Sequence, residues 1–405
     1  MPQHVTPDPT RRGPLHGIRV IDLSRLVAGN MLSLQLADFG ADVIKIESLQ
    51  GDTLRQWRET RPEGGEPHDG WWRTYARNKR SVAMELRDPQ AMGVLKMLVA
   101  SSQVLVESFR PGTLEVMGLS PESLHAANPK LVIVRVSGWG QSGPYRELPG
   151  FGSLVEGFST YAHRHSEHGI PHLPNLALAD MIAGLTGAFA TLAAVREVEI
   201  NGGKGQVVDL SLLEPMLAIM GPDVGNYAAT GRLQEPNAKI ASPRGVYRCK
   251  DGRWVTMSGS TDAMAQRVME TVEAGALVRD PRFATNAARI ANDVELDGMI
   301  AKFIAGMDMD EALTLFRSKG VTVGPVYDAS QLLADAHVAE RGCYVEVGTL
   351  ATVMHNVVPR LSATPGAIRR EAPGLGEHTR TLLREAGVAD KDIQTMADKG
   401  AIKCK

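Results

Sequence analysis

The sequence predicts an α/β protein built on a parallel sheet, followed by a smaller α+β domain. Two observations carry the first part. A strand, a helix and a strand follow one another within about thirty residues, the spacing of a right-handed βαβ unit, and strand and helix patterns then keep alternating to about residue 227. A third observation, a change of composition from Pro236 onward, marks the second domain.

In order, Gly17 to Leu23 (GIRVIDL) reads as a buried strand, Met31 to Phe39 as a short helix with apolar residues at helical spacing, and Ala41 to Glu47 (ADVIKIE) as the second strand. Further strands are expected at Ser81 to Leu86, Gln103 to Glu107 and Leu131 to Val136, with helical patterns at Pro89 to Ala100 and Pro121 to Ala126 between them. The Trp-containing, polar stretch from Gln50 to Asn78 is too long for a simple connection and reads as a surface or binding loop. Gly138 to Asn175 is a second irregular stretch. From Asp180 the pattern turns helical for about sixteen residues; Gly202 to Gly205 ends it, a strand at Gln206 to Leu210 follows, and a helix from Leu212 to Tyr227 closes this half. Pro236 to Gly245 is linker-like, Gly245 to Ser258 reads as a hairpin turning at Asp251-Gly252, and Asp262 to Glu273 and Asp293 to Lys319 read as helices. The expected division is a flexible tail of residues 1–14, a large domain of 15–230, a small α+β domain of 236–328, and a segment of 329–405 that returns to the large domain.

A chain of 405 residues has room for two or three domains with buried cores. Its 43% hydrophobic and 22% charged residues are ordinary globular usage, which excludes disorder and fibrous repeats. With 44 basic against 46 acidic residues there is no electrostatic footprint for nucleic acid or an anionic membrane, so an anionic ligand must be held by local charges. Three cysteines without a CxxC rule out a disulfide framework and fit a reducing cytoplasm. The Pro-rich polar start lacks the apolar run of a secretory signal, and no later segment reads as a membrane span.

Several chemistries are missing from the residues. The turn after the first strand, Ser24 to Asn30, has one glycine where a dinucleotide fingerprint needs three, and Gly202-Gly203-Lys204-Gly205 lacks the spacing of a P-loop. His163, His165, His168 and His172 lie close together, but with no acidic or Cys partner at a recognised spacing they read as a solvated loop rather than a metal site. No GxSxG elbow is present. Asp180 stands out: it ends an apolar run (LALAD) and begins a helix whose early turns hold Ala183, Gly184, Gly187 and Ala188. It is a good N-cap by type. A carboxylate kept ionised at a helix N-terminus, approachable between small residues, can also serve as a nucleophile.

Ten segments in order resemble the class III CoA-transferase family, the formyl-CoA transferase or carnitine-dehydratase type. They are GIRVIDLSRLVAGN, LADFGADVIKIE, NKRSVAMEL, VLVESFRPGTLEVMGL, SGWGQSGPY, the LAD helix at Leu178 to Ala194, GKGQVVDLSLLE, GVYRCKDGRWV, GPVYD and LGEHT. The resemblance implies ring-shaped subunits interlocked as a homodimer, each with a large Rossmann-like domain and a smaller α+β domain. It implies reversible transfer of CoA from an acyl-CoA donor to a free, small or dicarboxylic acid through a covalent aspartyl intermediate, with acyl-CoA as substrate and no metal, ATP or tightly bound cofactor. The family nucleophile falls on Asp180, and the CoA site on Leu26, Val27 and Ala28 in the turn after the first strand. Ser48 takes a position near adenine that can be basic. Met84, Ser108 and Phe109 match pantetheine and adenine contacts, Arg110 a phosphate neighbour and Ser211 the thiol end. The family often carries Arg after its FRPG segment, where this chain reads Leu114-Glu115-Val116-Met117. Two alternatives stand beside this reading: an acyl-CoA racemase of the same superfamily, whose His-bearing motif is replaced by Pro149-Gly150-Phe151-Gly152-Ser153, and a non-catalytic CoA-binding protein.

Overall fold

The computed structural model describes residues 2–59 and 68–404; the middle of the Gln50 to Asn78 loop, 60–67, lies outside the described residues. The chain divides into two compact units, one of residues 235–340 and one of residues 2–234 together with those from 341 onward.

The larger unit is α/β. In chain order it begins with β1 (Gln3–Val5), β2 (Arg19–Asp22), α1 (Leu26–Asp38), β3 (Asp42–Glu47), β4 (Lys79–Met84), α2 (Pro89–Ala100), β5 (Val104–Glu107), β6 (Val132–Ser137), α3 (Gly152–Phe158), α4 (Leu178–Ile200), β7 (Val207–Ser211), α5 (Leu213–Ile219) and α6 (Asp223–Thr230). The smaller unit supplies β8 (Arg244–Arg248), β9 (Trp254–Ser258), α7 (Asp262–Thr271), α8 (Asp293–Ile304), α9 (Met309–Ser318) and β10 (Val323–Val326). The larger unit resumes with β11 (Tyr344–Val347), β12 (Thr352–His355), α10 (Thr379–Glu385), α11 (Asp390–Asp398) and β13 (Ile402–Lys403).

The central sheet has the order β13-β4-β3-β2-β5-β6-β7, with every neighbouring pair parallel except β13 against β4. Its strands read as continuous apolar runs because both faces are covered. Ile21, Ile44, Leu105 and Ile133 face one core with Leu95 of α2 and Leu382, Ile393 and Met396 of α10 and α11. Val20, Val43, Val104 and Val132 face the other with Leu32 and Leu36 of α1 and Ala183 and Ala188 of α4. The chain builds outward from β2 to β4, then crosses back to lay β5 on the other side of β2. At such a reversal the carboxyl ends of the two strands leave a crevice.

Several expectations need correction. Residues 3–5, placed in the flexible tail, pair with β11 as a parallel strand. Helix α1 starts at Leu26 rather than at Met31, because Gly29, read as part of a turn, is a packing residue: a β-carbon there would lie 2.1 Å from Ser24. The single helix expected at Leu212 to Tyr227 breaks at Gly221, whose φ is +72°, and Pro222. The helix expected over Asp293 to Lys319 breaks before Asp308, which opens α9 with a capping box to Glu311. Helix α4 runs 23 residues with a mean hydropathy of 1.7, long and apolar enough to cross a membrane by length and composition, although no span was expected from the sequence. It packs along α1 through small residues: a β-carbon on Gly184 would lie 2.6 Å from Met31, and one on Gly187 would lie 2.5 Å from Leu32.

Candidate active site

The reversal in strand order sets the site. Leu23 N–H donates to Val106 O at 2.8 Å, tying the end of β2 to β5. The chain then turns sharply: Leu26 has φ +62°, a left-handed conformation that costs a residue with a β-carbon roughly 1–2 kcal/mol. Hydrogen bonds hold it there. Arg25 N–H donates to Ser108 Oγ at 3.0 Å, Leu26 N–H to Asp52 Oδ1 at 3.1 Å, and Asn30 Nδ2 to Leu26 O at 2.6 Å.

Beneath this turn lies a buried cluster of charge that the sequence reading did not single out. Lys45 lies 3.2 Å from both Asp22 and Asp52, and Lys79 lies 3.4 Å from Asp22 and donates to Asn30 Oδ1 at 2.8 Å. All four charged side chains are buried, two of each sign. Burial works against ionised Asp22, but Lys45, Lys79 and the hydroxyls of Ser24 and Ser33 outweigh it and hold the carboxyl at about 2. Burial drives Lys79 down to about 8 against the pull of Asp22.

Asp180 stands on the first turn of α4, beside the turn after β2. It is not the cap: α4 starts at Leu178, Ala177 precedes it, and Asp180 is the third helical residue. The nearby backbone amide of Ala28 favours its charged form. Across from it, α3 presents two positions one turn apart. A β-carbon on Gly152 would fall 2.3 Å from Asp180 Oδ2, and buried Glu156 accepts Ala179 N–H at 3.0 Å. Burial first, and then the Glu156 carboxylate, push Asp180 up from 3.8 to about 6, against the lowering effect of the Ala28 amide. The small residues at 183, 184, 187 and 188 serve the contact with α1 rather than access to Asp180.

At the carboxyl ends of β2 to β5 opens a cleft of about 430 Å³, lined by Arg25, Ser48, Asp52, Thr53, Met84 and Phe109, among others. Its size suits a small organic ligand. Ser48, Met84 and Phe109, expected at the CoA site, thus meet there. Of the other expected residues, Ser108 holds the Arg25 amide, Arg110 is exposed two residues further on, and Val27 turns its side chain into an apolar cluster with Leu54 and Trp72. Ser211 stands apart at the end of β7, two strands beyond β5, with its hydroxyl bound to Glu214. Leu114, in the segment that departs from the family pattern, is buried core. The four histidines at 163–172 gather no ligand set, and no group of three or more metal-binding side chains occurs among the described residues.

The sequence model of CoA-transferase family III matches residues 15–379. The chain belongs to that family. The succinyl-CoA–D-citramalate CoA-transferase of Chloroflexus aurantiacus is 36% identical over 403 residues, covering 96% of this chain and 98% of that protein. The succinate–glutarate CoA-transferase of Agrobacterium fabrum is 32% identical, covering 94% and 98% respectively. Among solved structures, a CaiB/BaiF family protein from Brucella suis superimposes with a TM-score of 0.82 at 29% identity, covering 93% of this chain and all of that one.

For this CoA-transferase the residues that sequence reasoning missed are Gly152, Glu156, Asp52 and Asn30. The first two carry a legible signal: a glycine and a glutamate four apart share one helix face. Asp52 and Asn30 carry none, since only the folded chain brings them to Leu26.

Proposed function

We propose that this CoA-transferase moves CoA from an acyl-CoA, with succinyl-CoA as the favoured donor, to a small dicarboxylic acid, and that Asp180 is the nucleophile. The observation that carries the reading is the setting of Asp180: a partly desolvated carboxylate near pKa 6, facing the glycine at 152 and beside the turn at the sheet reversal. Such a group is mostly ionised at neutral pH yet more basic than an ordinary Asp, which favours attack on a thioester. The relatives named above act on succinate, glutarate and citramalate, all dicarboxylates, which supports that acceptor class.

The steps balance without a metal or ATP. The Asp180 carboxylate adds to the donor thioester carbonyl and expels CoA thiolate, leaving a mixed anhydride. The thiolate attacks the aspartyl carbonyl, releasing the donor acid and leaving an aspartyl-CoA thioester. The acceptor carboxylate attacks that thioester to form a second anhydride, and the thiolate takes the acceptor acyl group, regenerating Asp180. Within this reading the adenine and pantetheine lie along Ser48, Met84 and Phe109, while Arg25 and Arg110 supply cations for the phosphates.

The Rossmann-like description rests on the order of the six parallel strands, which reverses between β2 and β5 as in nucleotide-binding sheets. An interlocked homodimer is supported by what a single subunit leaves bare: Leu185, Phe189 and Leu192 form an apolar stripe on α4, with Phe189 74% exposed, and Phe151 and Phe158 are more than half exposed. The compartment proposed is the cytoplasm.

The test is incubation with succinyl-CoA alone, followed by hydroxylamine or borohydride and peptide mass analysis. A donor-dependent mass change on the Asp180 peptide, lost in Asp180→Asn, is expected; an unmodified peptide from active enzyme removes the covalent step. Because Glu156 gives the site a second carboxylate, proton transfer as in a racemase is tested separately below.

A further inference from the structure

Two glutamates bracket the stretch Ser108 to Leu114 that leaves the carboxyl end of β5. Glu107 is the last residue of the strand, and Glu115 lies in a short helix, Thr113–Val116. Both end on one guanidinium. Arg135 of β6, opposite Glu107 in the parallel register, donates from Nε to Glu107 Oε1 at 2.9 Å and from its two terminal nitrogens to Glu115 Oε1 and Oε2 at 2.7 and 3.2 Å. Glu107 and Arg135 are buried, and the rigid fork of an arginine fixes the directions of both carboxylates at once.

The other oxygen of Glu107 is aimed at the loop itself: Oε2 accepts Phe109 N–H at 2.7 Å. Ser108, the residue between them, accepts Arg25 N–H on its hydroxyl at 3.0 Å. The loop is therefore fastened to β6 on one side and to the turn after β2 on the other. Phe109 packs against the core that holds Met84 and lines the cleft at the carboxyl ends of the strands, and exposed Arg110 follows it. The segment Leu114-Glu115-Val116-Met117, where the chain departs from the family pattern, thereby finds a use. In place of a cation for a phosphate it supplies the carboxylate that closes the loop at its base.

We propose that Glu107, Arg135 and Glu115 are positioning residues for the donor: they staple the loop that carries Phe109 and Arg110, and so set the preference for a thioester bearing the whole nucleotide end of CoA over the same thioester without it. This rests on the reading that CoA lies along Ser48, Met84 and Phe109. None of the three lines the cleft. They act through the loop: one left loose has to be ordered when the donor binds, and that ordering is lost from the affinity for the part of the donor that meets Phe109.

The experiment follows exchange of labelled succinate into succinyl-CoA and into succinyl-pantetheine, which carries the same thioester without the nucleotide, in the wild type, Glu107→Gln and Phe109→Ala. Glu107→Gln keeps the volume but sets an NH2 against Phe109 N–H or against Arg135 Nε, donor against donor, so one of the two contacts breaks. For succinyl-CoA, kcat/KM should fall about tenfold, the scale of a weakened contact between a base and an aromatic ring, and the fall should lie in KM. For succinyl-pantetheine it should stay that of the wild type. A merely structural Glu107 would lower the melting temperature and leave the ratio of the two donors unmoved, and that result overturns the proposal. If Glu107→Gln does not fold, Glu115→Ala decides in the same way: it leaves the buried Glu107–Arg135 pair whole and should shift the ratio by about threefold, the size of one lost hydrogen-bonded contact. Phe109→Ala separates the two readings. If it keeps the wild-type preference for succinyl-CoA, CoA does not lie in this cleft and the positioning role falls with that reading; if it loses the preference while folded Glu107→Gln keeps it, only the positioning role falls.

Discussion

Gly152 lies so close to Asp180 that a β-carbon at residue 152 would stand 2.3 Å from Oδ2. A β-carbon cannot itself rotate away, so any other residue there forces the Asp180 carboxylate to turn or α3 to move. In the proposed mechanism the glycine keeps open the face of the carboxylate that meets the acyl carbonyl.

Gly152→Ala therefore tests access to the proposed nucleophile. Transfer should fall by on the order of 100-fold, as for a reacting group displaced by about an ångström, while the far-UV circular dichroism stays that of the wild type. Wild-type turnover in Gly152→Ala would show that this face is not used.

Asp180→Asn should trade activity for stability. The folded carboxyl titrates at about 6 against 3.8 when unexposed to the fold. Below pH 3.8 it is protonated in both states and has no effect. As pH rises toward 6 the unfolded chain releases the proton first, so folding loses stability, and the full cost is present above 6. The amide carries no such cost. At pH 7.5 the variant should be inactive, bind CoA, and gain roughly 1–3 kcal/mol in urea unfolding; a destabilised Asp180→Asn would contradict the raised pKa.

The opposite sign holds for Asp22, whose carboxyl drops from 3.8 to about 2 in the folded protein. Its contribution, about 2–3 kcal/mol, is complete above pH 4 and disappears as pH falls through 2. Asp22→Asn should cost more than that at neutral pH, about 3–5 kcal/mol, because Lys45 and Lys79 are left buried with one carboxylate fewer. Urea titrations at pH 7 and pH 3 measure both, and equal stability of the variant and wild type at pH 7 would argue against the buried cluster.

Proton abstraction and CoA transfer leave different marks on the donor. In deuterium oxide the α-carbon of succinyl-CoA should take up label no faster than CoA is exchanged, since transfer breaks no C–H bond. Rapid α-deuteration without acid exchange would restore the racemase.

Interlocked subunits cannot part while folded. Sedimentation on serial dilution should show dimer until global unfolding, and a compact, active monomer would exclude the threaded arrangement.

The parallel sheet was legible because strands covered on both faces read as near-continuous apolar runs, as in VLV at Val104 to Val106. The proposal of Asp180 as nucleophile comes from resemblance: by spacing alone Asp180 reads as a cap, whereas it is the third residue of its helix. The glycines and alanines after it read as access and prove to be the close contact between α1 and α4. Asp22, Lys45 and Lys79 were hidden for a different reason. Asp22 and Lys45 sit in apolar strands where a lone charge looks like a solvent-facing residue, Lys79 lies just before the strand expected at Ser81 to Leu86, and only lateral pairing of β2, β3 and β4 brings them together.

The last helices and β13 complete one face and one edge of a sheet whose six parallel strands are all made by Ser211. On the ribosome, that face, with Ile21, Ile44, Leu105 and Ile133, has to wait for Leu382, Ile393 and Met396. At bacterial and eukaryotic translation speeds the delay is on the order of ten to thirty seconds. Residues 235–340 can collapse around their own core in that interval. A nascent chain stalled before Thr379 thus carries a finished inserted unit and a half-covered sheet, which makes premature termination near the 3′ end of the message a route to aggregation and chaperone capture rather than to a trimmed but working enzyme.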